Sequence, residues 1–156
     1  MTRVALKVVL LAVAVAMVGA VAAWAAGGHH GKGSGKALTV IEHATTDATT
    51  DTGAAGDSAG DILTFSNEVF DRKDTHAVGT DQGYCIRTVA GKSYECNWTT
   101  ILAGGQITVE GPFLDAGDST LAVTGGTGRY RHASGVMKLH SLAGGTKFRF
   151  EFHLRG

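Results

Sequence analysis

The sequence predicts an all-β protein, an eight-stranded antiparallel β-barrel. Apolar and polar residues alternate in most segments after residue 37, as they do in strands with one buried face. Glycine-rich turns join these segments at regular spacing, and none of the segments has a convincing helical period. About eight short strands connected in this way indicate a barrel rather than parallel βαβ units.

The first 26 residues have the organisation of a cleavable secretory signal. Arg3 and Lys7 precede an apolar run over residues 8–21, and Ala23-Trp24-Ala25 forms an A-x-A cleavage pattern. An uncleaved membrane anchor is the alternative, but the run is shorter than the ~20 residues that span a bilayer. The alanine- and valine-rich signal indicates a secreted bacterial protein.

The domain boundaries follow from this reading. We predict a signal peptide at 1–26, a flexible glycine-rich linker at 27–36 and a barrel domain at 37–156. His29 and His30 in the linker are adjacent but have no third ligand, so no metal site is predicted.

The charge balance argues against two classes of partner. The 156-residue chain has 14 Lys and Arg residues and 14 Asp and Glu residues. Removal of Arg3 and Lys7 with the signal leaves 12 basic against 14 acidic residues, a net charge of −2. We therefore expect no nucleic acid partner, and no membrane partner after signal cleavage.

The first predicted strand covers residues 37–43 and places Leu38, Val40 and Glu42 on one face. A carboxylate is rarely buried among apolar side chains. The pattern alone leaves two arrangements open. Either this is an exposed strand with a solvated edge, or the Glu42 side chain points into a cavity.

Residues 44–60 contain no aromatic residue and no apolar periodicity, which predicts a long mobile loop. The next predicted strand covers residues 61–71. It places Leu63 and Phe65 on the same face as Asn67, an unusual polar member of an otherwise apolar set.

The two cysteines lie on neighbouring predicted strands, 76–89 and 93–102. A two-residue turn at Ala90-Gly91 would pair Val89 with Lys92 and therefore Cys85 with Cys96. The sulfurs would then be close enough to form a structural disulfide. That register makes the cysteines a hydrogen-bonded pair, which is the wider type, so a longer loop is the alternative.

Four further strands complete the predicted barrel, at 106–113, 119–124, 136–142 and 147–154. A glycine corner at Gly125, Gly126 and Gly128 follows the second of them and is expected to supply positive-φ positions.

A barrel of this size is either filled by side chains or holds one small ligand. The predicted inner set is mostly apolar and includes Leu63, Phe65, Trp98, Val109 and Phe113. The partner expected from this composition is a small hydrophobic molecule.

Several segments resemble the allene oxide cyclase barrel and the related plant dirigent proteins. They are GDILTFSNEVFD, the spacing through Gly83-Tyr84-Cys85, LAVTGGTG followed by GVMKL, and KFRFEFHLRG. GGTGRYRHASG is also similar to the GGTG-aromatic-R-x-A-x-G element of dirigent proteins. The resemblance covers residues 38–156. It implies an eight-stranded, usually trimeric barrel that uses no cofactor and steers ring closure of a reactive hydrophobic intermediate by shape.

The resemblance also implies roles for individual residues. Glu42 matches a cavity glutamate that stabilises developing positive charge, which favours its inward orientation, and Asn67 matches a cavity asparagine. Leu63 and Phe65 match apolar residues of the cavity wall. Cys85 matches a cavity cysteine, and Phe113 stands where the cyclase has a cavity tyrosine. The matching cysteine of the cyclase is a free thiol, which is one expectation for Cys85. The presence of Cys96 opposite Cys85 favours a disulfide instead.

Departures from the cyclase limit what is carried over. Ala44 stands where the cyclase has a water-binding asparagine, residues 44–60 contain no Ser-Pro, and Phe113 lacks a hydroxyl. Plant-type allene oxide cyclisation is therefore not expected. The sequence predicts an isomerase- or cyclase-like barrel with Glu42 as its catalytic group. The alternatives are a dirigent-like or lipophile-binding secreted protein without chemistry, and a structural module without a cavity.

Overall fold

The computed structural model describes residues 35–155. The predicted signal peptide, the histidine pair and all but the last two residues of the predicted linker lie outside this range. Within it, no helix is both long and apolar enough to cross a membrane.

Eight antiparallel strands close into a barrel, which confirms the predicted fold class. With one short strand outside the ring, the described residues form nine strands: β1 Lys36–His43, β2 Ala48–Thr50, β3 Ile62–Phe70, β4 Ala77–Val89, β5 Ser93–Leu102, β6 Gly105–Leu114, β7 Ser119–Gly126, β8 Ser134–Leu142 and β9 Lys147–Arg155. The ring runs β1-β9-β8-β7-β6-β5-β4-β3 and closes through β1 and β3, while the short β2 adds to β3 outside it.

Closure of the barrel depends on β1, which pairs on both of its edges. Its whole length pairs with β9, from Lys36 opposite Leu154 to His43 opposite Lys147. Only its last three residues also pair with β3, where Glu42 lies opposite Val69. Because Val40 and Glu42 share the inward face, closure carries the Glu42 carboxyl into the interior.

The strand bounds differ from the predicted ones by one or two residues at most ends. A larger difference lies in residues 44–60, predicted to be loop throughout, where β2 forms three ladder pairs with β3. Short 3-10 turns at Gly128–Tyr130 and Ala143–Gly145 end the glycine corner and connect β8 to β9.

The glycine corner works differently from the prediction. Only Gly128 adopts a positive φ, of 57°. At Gly126 the requirement is space, because a Cβ there would lie 2.3 Å from the Gln106 carbonyl oxygen. Gly125 meets neither condition.

The cysteine hairpin has a three-residue loop, so the predicted two-residue turn was wrong and the longer alternative is correct. Val89 pairs with Ser93, and the extra residue Thr88 forms a bulge that restores the register, so that Cys85 lies opposite Cys96. The two cysteines form a disulfide with Cα atoms 4.0 Å apart, as in the closer type of antiparallel pair.

Removal of the disulfide should destabilise the barrel without unfolding it. We expect Cys85→Ala with Cys96→Ala to lower the free energy of unfolding by about 2–4 kcal/mol, because the unfolded chain regains the freedom of the closed loop. Urea unfolding measures this. Wild type in reductant keeps the sulfur atoms and isolates the cross-link, so an unchanged midpoint in reductant would contradict the expectation.

Candidate functional site

A cavity of about 220 Å³ lies inside the barrel. Six aromatic rings and the disulfide form most of its wall, and two carboxylates complete it. The lining residues are Glu42, Asp47, Leu63, Phe65, Cys85, Tyr94, Cys96, Trp98, Phe113, Leu139, Phe148 and Phe150. This volume is below the usual range of drug-sized pockets, so the space suits a compact ligand.

The structure brings the sequence-predicted site residues together. Glu42, Leu63, Phe65, Cys85, Trp98 and Phe113 all line the cavity. Asn67 does not line it but is hydrogen-bonded to Glu42. The wall also includes Tyr94 and Phe148, which share inward faces with predicted members but were not singled out from the sequence.

The aromatic side chains of the wall contact one another. Trp98 packs against Phe65 and Phe150, with ring centroids 6.0 and 5.5 Å apart. Phe113 packs edge-on against Phe148 at 5.7 Å. A Cβ on Gly83 would lie 2.3 Å from the Trp98 Cβ, so glycine at this position is what allows Trp98 its place. Such mutual packing limits the rotamers and keeps the space open.

Asn67 holds the Glu42 carboxyl in place. Its Nδ2 donates to the Glu42 Oε1 at 2.8 Å and to the Asp47 Oδ1 at 2.8 Å. Its Oδ1 accepts from the backbone N–H groups of Thr45 and Thr46, at 3.0 and 2.9 Å. Those backbone donors fix which end of the amide points to Glu42. The same side chain therefore orients the acid and ties the chain after β1 to the barrel.

A second buried carboxyl, Asp81 on β4, was missed in the sequence. It is 0% exposed and lies between Asn67 on β3 and Thr100 on β5 in the ladder. Among the described residues neither of its oxygens accepts a hydrogen bond of good geometry, although the Asn67 backbone N–H lies near enough to lower its pKa. Its hydrogen-bonding neighbour is Glu42, so the contact requires a proton on one of the two carboxyls. We call these two residues the carboxyl pair.

The surroundings of the carboxyl pair raise both pKa values. Burial raises the pKa of Glu42 to about 7, against the lowering effect of the Asn67 hydrogen bond and with a contribution from the charge of Asp47. Burial, followed by the charge of Glu42, raises the pKa of Asp81 to about 9. The two groups therefore do not both ionise at neutral pH.

A buried arginine fixes one edge of the cavity wall. The Arg87 side chain is 8% exposed and stacks on the Tyr94 ring, with its Cζ 3.6 Å from the ring centroid. Its Nη1 donates to both Asp115 oxygens at 2.7 Å, its Nη2 donates to the Tyr94 hydroxyl, and its Nε lies 2.6 Å from Asp57. Because Asp57 belongs to the segment after β2, Arg87 connects that segment to the wall.

In the part of the chain that the structure describes, no group of three or more His, Cys, Asp or Glu side chains is arranged to hold a metal ion.

These features define a class of protein: closed antiparallel β-barrels that keep an aromatic cavity with a carboxyl in its wall. The family model described as allene oxide cyclase matches residues 38–156, and the chain belongs to the allene oxide cyclase family. The resemblance seen in the sequence is thereby confirmed.

Several solved structures have the same barrel fold as this chain. A pyocyanin demethylase is 27% identical, with a TM-score of 0.69 over 77% of this chain and 100% of its own. An exo-specific intermolecular Diels-Alderase is 16% identical, with a TM-score of 0.65 over 80% of this chain and 100% of its own. A pterocarpan synthase dirigent protein is 15% identical, with a TM-score of 0.61 over 78% and 97%. The last two similarities show the fold alone.

Replacing Asp81 by Asn should make stability less sensitive to rising pH. Both carboxyls have a pKa above their ordinary values of 4.5 and 3.8. The folded state therefore binds more protons than the unfolded chain between about pH 4 and about pH 9. The free energy of unfolding falls as pH rises through that range, by up to about 1.4 kcal/mol per pH unit for each extra proton.

Urea unfolding at about pH 6 and about pH 8 measures the difference. Wild type should lose about 1–3 kcal/mol more than Asp81→Asn over this interval. Thr100→Val removes a polar group beside Asp81 without removing a titratable one, so it should keep the wild-type slope. Equal slopes for wild type and Asp81→Asn would show that Asp81 does not retain its proton in the folded state.

Proposed function

We propose that this barrel binds a compact hydrophobic reactive molecule and steers its cyclisation or isomerisation. The observation that carries the proposal is the placement of Glu42, a carboxyl held by Asn67 in the wall of an otherwise aromatic cavity. A cavity that only stores an apolar ligand has no need of a buried acid, whose desolvation is costly.

Shape and charge provide the proposed catalysis. The rigid aromatic wall holds the bound molecule near its reactive geometry and so lowers the entropy cost of ring closure. Glu42 stabilises positive charge that develops as bonds rearrange. Such a rearrangement redistributes electrons within one molecule and consumes no oxidant or reductant.

The similar structures support small-molecule chemistry in general terms. One is described as a pyocyanin demethylase and another as an exo-specific intermolecular Diels-Alderase, so barrels of this shape are used for reactions of small molecules. The missing hydroxyl at Phe113 and the missing amide at Ala44 argue against the plant-type epoxide site. The substrate class of this chain is therefore proposed to be distinct from that of plant allene oxide cyclase.

A second candidate is a dirigent-like or lipophile-binding protein with no chemistry of its own. The predominance of aromatic lining over polar lining favours it. Glu42 discriminates between the two candidates, because only the catalytic one requires its charge.

Filling the cavity should abolish ligand binding while leaving the fold intact. We expect Leu63→Trp to weaken naphthalene binding about tenfold or more, because a larger side chain occupies the space that the probe requires. Val136→Trp, on the exposed outer face of β8, is the matched control and should bind as wild type does. Naphthalene fluorescence measures binding. Absence of binding to wild type, or equal binding by both variants, would overturn the cavity as a ligand site.

Glu42→Gln should lower the reaction rate about 100-fold, or change the product distribution, while ligand binding persists. The substitution removes the charge of the side chain and keeps its shape. A mass-spectrometric search for a co-purifying hydrophobic molecule provides the starting point for a substrate. Glu110→Gln, an exposed glutamate on β6, is the control and should behave as wild type. An unchanged product distribution in Glu42→Gln would leave the non-catalytic binding function in its place.

Export and trimeric assembly also belong to the proposal. The Cys85–Cys96 disulfide is typical of an oxidising compartment, which supports a cleaved signal at 1–26 and secretion. The outer face of β4 exposes Tyr84 and Ile86, which provide apolar surface for a homotrimer. Intact mass of protein from the culture medium and sedimentation velocity test the two points. A full-length chain, or a monomer throughout, would count against them.

A further inference from the structure

Asp81 is a buried acid that has no role in the proposed function as described above. It is completely buried, yet it does not line the cavity. It lies behind Glu42, which does line the cavity, and any effect on a ligand must pass through that residue. The hydrogen bond between Asp81 and Glu42 joins two carboxyl groups, which have no donor when both are ionised, so it needs a proton of the pair itself.

Within residues 35–155, no basic side chain is among the groups that act on the carboxyl pair. The charge that acts on it from outside comes from Asp47 in the segment after β1 and is of the same sign. Its ladder neighbours Asn67 and Thr100 are neutral. The basic side chains at the adjacent end of the barrel are engaged elsewhere, since His43 and Lys147 both contact Asp74 at 2.6 Å.

We propose that Asp81 is a positioning residue that keeps a transferable proton on the carboxyl pair, so that Glu42 offers a hydrogen-bond donor to a neutral, weakly basic ligand. This inference deepens the proposed function and rests on it, because a pair with one proton still carries the single negative charge that stabilises positive charge on the ligand. It names the substrate class as a compact aromatic or unsaturated molecule with one acceptor atom, such as a ring nitrogen or a carbonyl oxygen.

The proton can lie on either side of the bond between the two carboxyls. When an acceptor atom approaches Glu42, the Glu42 oxygen carries the proton and donates it in a hydrogen bond, while Asp81 carries the negative charge. Full transfer would leave both carboxyls ionised beside a cationic ligand, and the proton would return to Glu42 when the ligand reverts to its neutral form. No other reactant is required.

Asparagine at position 81 separates this role from a structural one. Its amide can still donate a hydrogen bond to Glu42, but it cannot hold a transferable proton. In wild type the pair keeps one proton until the higher of its two pKa values is passed, and burial raises that of Asp81 to about 9. In Asp81→Asn only Glu42 titrates, and its pKa in wild type is about 7.

Quinoline and naphthalene form the matched probe pair, because they have the same two-ring shape and only quinoline has an acceptor nitrogen. Binding of each to the full-length mature protein is measured from about pH 6 to about pH 10, where free quinoline is neutral. At the acidic end wild type should prefer quinoline about 3- to 10-fold, as expected for one additional hydrogen bond. The ultraviolet spectrum of bound quinoline reports whether the proton is shared or fully transferred.

The decisive result is the pH at which this preference disappears. It should fall by about one to two pH units in Asp81→Asn and stay at the wild-type value in Thr100→Val. A preference that disappears at the same pH in wild type and Asp81→Asn would overturn the inference, and so would equal affinity of wild type for both probes. Failure of both probes to bind would instead refute the ligand-binding cavity of the proposed function.

Thermal unfolding of each variant shows whether it is folded. If Asp81→Asn does not fold, Asp81→Ser is the second variant, since its hydroxyl can donate to Glu42 without titrating in this range. It should show the same downward shift.

Discussion

The burial of a carboxyl at the point where the barrel closes is the constraint on which the rest of the site depends. β1 completes the ring by pairing with β9 and β3, and this pairing carries Glu42 inside. An isolated charge there would be prohibitively costly, so the chain provides an amide donor from Asn67 and a proton-sharing neighbour in Asp81. The same strand pairing therefore closes the sheet and assembles the polar layer, which consists of Glu42, Asn67 and Asp81.

The aromatic wall and the polar layer complement each other. Rings that pack against rings resist collapse into the cavity, and this keeps apolar space beside the carboxyl pair. The low polarity of that space raises both carboxyl pKa values, since burial disfavours the charged forms. A site of this kind can stabilise charge on a ligand without a charged cofactor, because its few polar groups act in a medium that screens them weakly.

Much of the fold was predictable from the sequence, and the site less so. Strict alternation in segments such as residues 147–154 determines which side chains face inward, and closure of the sheet brings those side chains together. The orientation of Glu42 was not decidable from β1 alone, because it depends on pairing with strands distant in the chain. Asp81 shares its inward face with Cys85, a signal that was present but unused. Its hydrogen bond to Glu42 could not be read from the sequence, because it crosses from β4 to β1.

The prediction of a two-residue turn at the cysteine hairpin was wrong because a bulge at Thr88 absorbs one residue. A count of residues outward from the turn does not detect such an insertion.

The position of the disulfide has a chemical consequence for any reactive guest. Cys85 and Cys96 contribute their sulfur atoms to the wall of the cavity itself. As a disulfide they present no thiolate, so an electrophilic intermediate can reside beside them without being alkylated onto the protein. In a reduced barrel the same two positions would present thiols to the reactive ligand of the proposed function, and an alkylated thiol would occupy space that the ligand requires.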